Sequence, residues 1–96
     1  MDFVLKDYVT SCYTNEQGDE IYNLISKPLF MGQKVTLSFE GMNSVSSSFL
    51  NSSFIPLLDD LTFDQIKQLL KFKDSNRFIN SMIIRRFEQE DNKCVN

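Results

Sequence analysis

No histidine and no tryptophan occur among the 96 residues. The first absence removes the commonest general base and the commonest metal ligand, so no Ser-His-Asp or Cys-His site can be assembled within the chain. The second leaves nine phenylalanines to bulk out the core without indole N–H groups to satisfy. The two cysteines, Cys12 and Cys94, have no CxxC spacing and are expected as free thiols in a reducing compartment. No apolar run approaches the roughly 20 residues needed to span a bilayer. The start, Met1-Asp2-Phe3-Val4-Leu5-Lys6, has neither the basic region nor the apolar stretch of a secretory leader. Cationic residues are in deficit, 10 against 13 acidic, and the net charge of −3 disfavours steering toward nucleic acid or anionic membrane. A cytoplasmic protein with neither kind of partner is expected.

What is present fits one small α/β domain over residues 1–90 followed by a polar tail, 91–96, within a polar end from Glu88 expected to fray. Residues 2–13 are rich in β-branched and aromatic types and predict one strand, or two short ones broken near Lys6-Asp7, with Cys12 near a strand end. Thr14 or Asn15 is placed to cap a helix carrying Ile21, Leu24, Ile25 and Leu29 on one stripe. Pro28 lacks an N–H, so that helix is expected to stop or kink near Lys27. Val35, Leu37 and Phe39 alternate with Thr36, Ser38 and Glu40, the period of a strand with one buried face. A second helical stripe, Leu50, Phe54, Leu57, Leu58 and Leu61, is expected to bend at Pro56, with small Ser52 and Ser53 easing the freed carbonyl or an approach to the sheet. Thr62 opens a capped turn, and Leu69–Lys73 reads as a short strand. Asp74 or Ser75 caps a last helix with Phe78, Ile79, Met82, Ile83 and Phe87 inward and Ile84 off the stripe. The order β-α-β-α-β-α predicts a mostly parallel or mixed sheet with helices mainly on one face.

In such sheets ligands and partners meet the loops beyond the carboxyl ends of the strands, which singles out loop 41–46 and the helix start after it. Gly41, Asn43, Ser44, Ser46, Ser48 and Phe49 form the expected partner-docking set, and Ser47 is the candidate phosphoacceptor. Capping alone accounts for serines here, since a serine oxygen accepting an orphan N–H contributes about 1 kcal/mol. A phosphoserine instead adds roughly −1.5 to −2 charges, tolerated at a helix N-terminus. The same N-terminus makes a phosphate- or nucleotide-binding domain the alternative function, although neither GxxxxGK[ST] nor GxGxxG occurs. Glu40 and Asp59-Asp60 are the carboxylates available for acid/base or Mg²⁺ chemistry, and a solvated role is expected of them. Lys71, Lys73, Arg85 and Arg86 read as helix and strand surface. No catalytic residue, cofactor or metal site is assigned.

The run Lys34-Val-Thr-Leu-Ser-Phe-Glu-Gly-Met-Asn-Ser-Val-Ser-Ser-Ser-Phe-Leu-Asn-Ser-Ser-Phe54, with Gly18-Asp-Glu-Ile-Tyr-Asn-Leu-Ile25 before it and Leu70-Lys-Phe-Lys-Asp74 after it, resembles a bacterial STAS-like domain family of unassigned function. That family is in turn similar to the STAS domains of anti-sigma factor antagonists, which switch partners through a phosphorylated serine in Asp-Ser-Ser-Gly-Leu at a helix start. The resemblance puts Ser46 at the Asp position, Ser47 at the phosphorylated serine, Ser48 at the second serine and Phe49 at the glycine. It implies a non-enzymatic regulatory module, an anti-sigma-antagonist-like role, and a protein partner of the histidine-kinase-like ATPase class. The polar face of Thr36 and Ser38, or Ile84, is a candidate homodimer surface.

Overall fold

A computed structural model describes the backbone of residues 1–95 and the side chains of residues 1–90. Among the described residues there are three strands, β1 (Asp2–Val4), β2 (Val35–Ser38) and β3 (Leu70–Lys73), and four α-helices. The helices are α1 (Asn15–Phe30), α2 (Ser47–Ser53), α3 (Phe63–Leu69) and α4 (Arg77–Val95). The expected tail 91–96, with Cys94, lies outside the described side chains. Both strand pairs are parallel, in the order β1-β2-β3. Right-handed crossovers in that order lay the intervening helices on one face of the sheet.

Register explains the division of the sheet into an apolar and a polar face. Phe3 lies opposite Leu37 and Leu37 opposite Phe72, while Val35 pairs with Leu70. Paired residues point the same way, so these five line the helix side. Asp2, Thr36, Lys71 and Lys73 take the other side, as the alternation predicts. On the apolar side Phe72 meets Phe39 and Phe54 at ring distances of 5.7 and 5.5 Å. Phe54 also touches Phe49 and Phe87, so the end of α2 is pinned between β3 and α4.

The first segment differs from its expected form. β1 is three residues long, and the chain then turns through a 3-10 helix at Leu5–Asp7. Leu5, Val9 and Cys12 are buried as anchors of an irregular stretch rather than as alternate residues of a second strand.

Thr14 is the cap of α1, in a reciprocal capping box with Gln17. α1 passes through Pro28 and ends only at Phe30. Two features offset the missing N–H. Pro28 lies three residues before the cap residue Met31, so few helical bonds follow it. Gly32, at φ +80°, then closes a Schellman motif in which Gln33 N–H donates to the Pro28 carbonyl at 2.9 Å and Gly32 N–H to Leu29 at 3.0 Å. Gly18 sets the approach of α1 to α2. A Cβ there would lie 2.6 Å from the Phe49 carbonyl oxygen and 2.7 Å from Ser52 Cβ. Ser52 Oγ donates to Asn15 Oδ1 at 3.1 Å across the same contact, and buried Ser53 donates to the Phe49 carbonyl. Ser52 therefore serves helix–helix contact, while the Ser53 hydroxyl bonds back within α2.

Pro56 produces the expected break. α2 stops at Ser53 and a 3-10 helix, Ile55–Asp59, carries the stripe onward with Leu57 buried. Thr62 caps α3 through a second box with Gln65, and the single turn expected there runs on to Leu69. Asn76, rather than Asp74 or Ser75, caps α4, accepting from Ile79 N–H at 2.8 Å. Ile79, Ile83 and Phe87 are buried at a four-residue spacing, which turns Phe78 outward, 52% exposed, against expectation. No helix among the described residues is long and apolar enough to cross a membrane.

Candidate functional site

Parallel strands deliver all three of their following loops to one end of the sheet. Here those loops are bound to one another. Lys6, after β1, pairs with Glu40, after β2; this hydrogen bond, then the Glu40 charge, holds the Lys6 ammonium above its ordinary pKa. Ser38 Oγ donates to Asp74 Oδ2 at 2.7 Å, and Asp74 adopts a left-handed φ of +56° to reach it. Asn76 donates to the Asn43 carbonyl at 2.9 Å. Tyr13 OH and Ser44 Oγ share a hydrogen bond. Glu40 is thus committed to an ion pair, while Asp59 and Asp60 are exposed on the 3-10 segment and its end.

The serines of this end have different fates. Ser46 caps α2 by accepting from Phe49 N–H at 3.1 Å, and its Oγ donates to the Tyr13 carbonyl at 2.7 Å. Its own N–H donates to the Cys12 carbonyl at 3.0 Å. Ser46 therefore closes the loop of β2 against the segment that leads into α1. Ser47 and Ser48 are exposed, and their hydroxyls have no hydrogen bond among the described residues. Ser47 borders a shallow cleft of about 160 Å³ between α2 and α4, which Arg85 and Arg86 also line. Arg86 is held by Asn51 at 2.6 Å and Glu90 at 2.7 Å.

Gly41, at φ +81°, and Asn43 are exposed, and Ser44 is half-buried. Phe49 departs from the expected docking set: it is fully buried, edge-on to Phe54 at 6.0 Å. A bulky apolar residue two positions after an exposed serine points inward on a helix this short. The alternative anion site loses support from the same geometry. α2 has only seven residues, and Ser46 already occupies the Phe49 N–H.

Residues that sequence reasoning did not assign complete the surface: Tyr13, 51% exposed, with Lys6, Asp74 and Asn76. Their signal was topological, since parallel order alone brings the three post-strand loops together. Cys12 lies beneath them, wholly buried, its thiol pushed up to about 12 by desolvation. It is a packing residue and not a nucleophile at neutral pH.

A family model described as a STAS-like domain of unknown function matches residues 17–77. No curated protein and no solved structure matches the chain.

Proposed function

The chain belongs to this family of STAS-like domains of unknown function, and we propose that it is a protein-interaction module without a catalytic step of its own. Its docking surface is loop 41–46 with the exposed start of α2 and Tyr13, and its control point is the Ser47 hydroxyl. The observation that carries this reading is the divergence of adjacent serines. Ser46 is spent on three hydrogen bonds that hold two loops and a helix start together, whereas Ser47 is exposed. A modification of Ser47 can therefore change the surface without removing a structural bond.

A phosphate there would enter a setting shared with Arg85 and Arg86, where charge-assisted hydrogen bonds favour it. Tyr13 supplies the amphipathic ring typical of protein interfaces. The partner class, by analogy with the related STAS domains, is a histidine-kinase-like ATPase able to act as a serine kinase.

The test is to incubate the protein with such an ATPase and ATP, and to compare wild type with Ser47→Ala by intact mass and by co-elution. The expected result is a complex, and one added phosphoryl group that Ser47→Ala abolishes. An unchanged mass with no complex overturns the proposal. A phosphoryl group retained in Ser47→Ala moves the control point elsewhere and overturns that part.

A further inference from the structure

An apolar hollow lies between α3, edge strand β3 and α4. Its volume is about 370 Å³, within the range of roughly 300–1,000 Å³ in which proteins hold small molecules. Phe63, Phe72, Ile83 and Phe87 form its walls, and Phe63 stacks on Phe87 with centroids 5.1 Å apart and planes at 24°. These rings fix one another, so the hollow is built by packing and not by a loose loop.

Polar groups in the lining are few, and all can donate. Lys67 and Lys71 bring two ammonium groups. Asn80 completes the set; its carbonyl oxygen already accepts from Ser75 Oγ at 2.6 Å, which leaves its NH₂ to donate. Lys67 Nζ is held 4.6 Å from the centre of the Phe63 ring, at the boundary between apolar wall and cationic rim. Lys71 springs from the polar face of edge strand β3, and its Nζ donates to the Lys67 carbonyl at 2.8 Å, which brings that ammonium back to the end of α3 beside the hollow. Asp64, 3.5 Å from Lys67, is the nearby counter-charge and does not line the hollow.

The distribution of charge along the chain reinforces this. Residues 62–87 carry six Lys and Arg against two Asp, net +4, whereas residues 1–61 carry three against eight carboxylates, net −5. Two of these six cations, Lys67 and Lys71, line the hollow. The geometry points to a binding site for a small amphipathic carboxylate, a fatty or aryl acid. Its apolar body lies against Phe63, Phe72, Ile83 and Phe87, and its anionic head on Lys67 and Lys71. The site is independent of Ser47 and of the docking surface.

Decanoate, decanol and acetate, added to the full chain below micelle-forming concentrations, test this by amide and methyl NMR shifts. Decanoate is expected to give saturable shifts confined to the walls, acetate none, and decanol binding about tenfold weaker, the effect of one charge-assisted contact. Lys71→Glu is expected to weaken decanoate about tenfold. Ile84→Glu, at a lip residue 53% exposed and so tolerant of change, is expected to do the same by repulsion. Unaltered circular dichroism certifies both variants as folded. Equal binding of decanol and decanoate, shifts outside the hollow, no binding, or a hollow occupied by a second copy in sedimentation would each overturn the proposal.

Discussion

The two ends of this small domain are held together by different means. At the carboxyl end of the sheet, polar side chains cross-link three loops: Lys6 to Glu40, Ser38 to Asp74, Asn43 to Asn76, Tyr13 to Ser44, and Ser46 to two backbone groups. Around α3, β3 and α4 the fastening is aromatic, with Phe54, Phe63, Phe72 and Phe87 in mutual contact. Hydrogen bonds specify direction, so the loop end holds its hydroxyls and carbonyls in fixed orientations. Apolar contact is non-directional and leaves a hollow where packing is incomplete. One region is fastened by directional polar groups, the other by apolar rings beside a hollow.

The comparison breaks most visibly at Phe54, the ring shared by both sides of the aromatic cluster. Phe54→Ala is expected to cost about 3–5 kcal/mol. At about 4–8 °C per kcal/mol for a domain of this size, thermal denaturation would report near-complete loss of the folded state. A drop below 1 kcal/mol would mean that the aromatic cluster is not the fastening described. Next comes Gly18→Ala, which sets a methyl group 2.6 Å from the Phe49 carbonyl. The obstacle is backbone, so α1 and α2 must move apart, at about 1–3 kcal/mol. Urea denaturation measures it, and an unchanged midpoint would show that the helices separate freely.

Gly18 also marks the limit of what could be read from the chain. The alternation of Val35, Leu37 and Phe39, the stripe of Ile21, Ile25 and Leu29, the Thr14 and Thr62 caps and the break at Pro56 were legible because each depends on neighbours within a turn or two. Gly18 looks like loop punctuation in sequence; its role depends on Phe49 and Ser52, more than thirty residues away. Pro28 reads as a helix end for a related reason: its missing N–H is visible locally, whereas the Schellman motif that Gly32 completes is not. Asn76 displaced Asp74 as the cap because Asp74 is drawn to Ser38 across the sheet end. In the site, the position of Ser47 was legible, while the burial of Phe49 and the convergence of Tyr13, Asn43 and Asn76 were not. These follow from tertiary placement, to which local pattern is blind.

Burial of Cys12 gives a pH signature. Its folded pKa, near 12, lies above the ordinary thiol value of 9.0. Below the unfolded value both states hold the proton and stability is unaffected by the group. Between the two values the unfolded chain releases a proton that the folded state retains, so stability falls as pH rises through that window. In a Cys94→Ser background, Cys12→Ala is expected to flatten the alkaline limb of a stability–pH curve. Iodoacetamide at neutral pH should leave Cys12 unmodified until denaturant is added. Prompt alkylation of the native protein would place the thiol at the surface and undo the account of the stretch above it.

The smallest effect in stability is the sharpest on function. Ser46→Ala removes the cap of α2 and the tie to Tyr13, and is expected to cost about 0.5–2 kcal/mol. Ser47→Ala, one residue on, removes an exposed hydroxyl and is expected to stay within about 0.5 kcal/mol of wild type. Partner capture and phosphoryl transfer should reverse the ranking: Ser47→Ala abolishes the modification, while Ser46→Ala, still folded, retains it at reduced yield. Neither variant should alter decanoate binding, because the hollow shares no side chain with the loops. If Ser47→Ala destabilises as much as Ser46→Ala, Ser47 is a structural hydroxyl and the control point is lost. If Ser46→Ala weakens decanoate binding, the two ends are coupled through α2 and Phe54, and their separation is one of chemistry and not of mechanics.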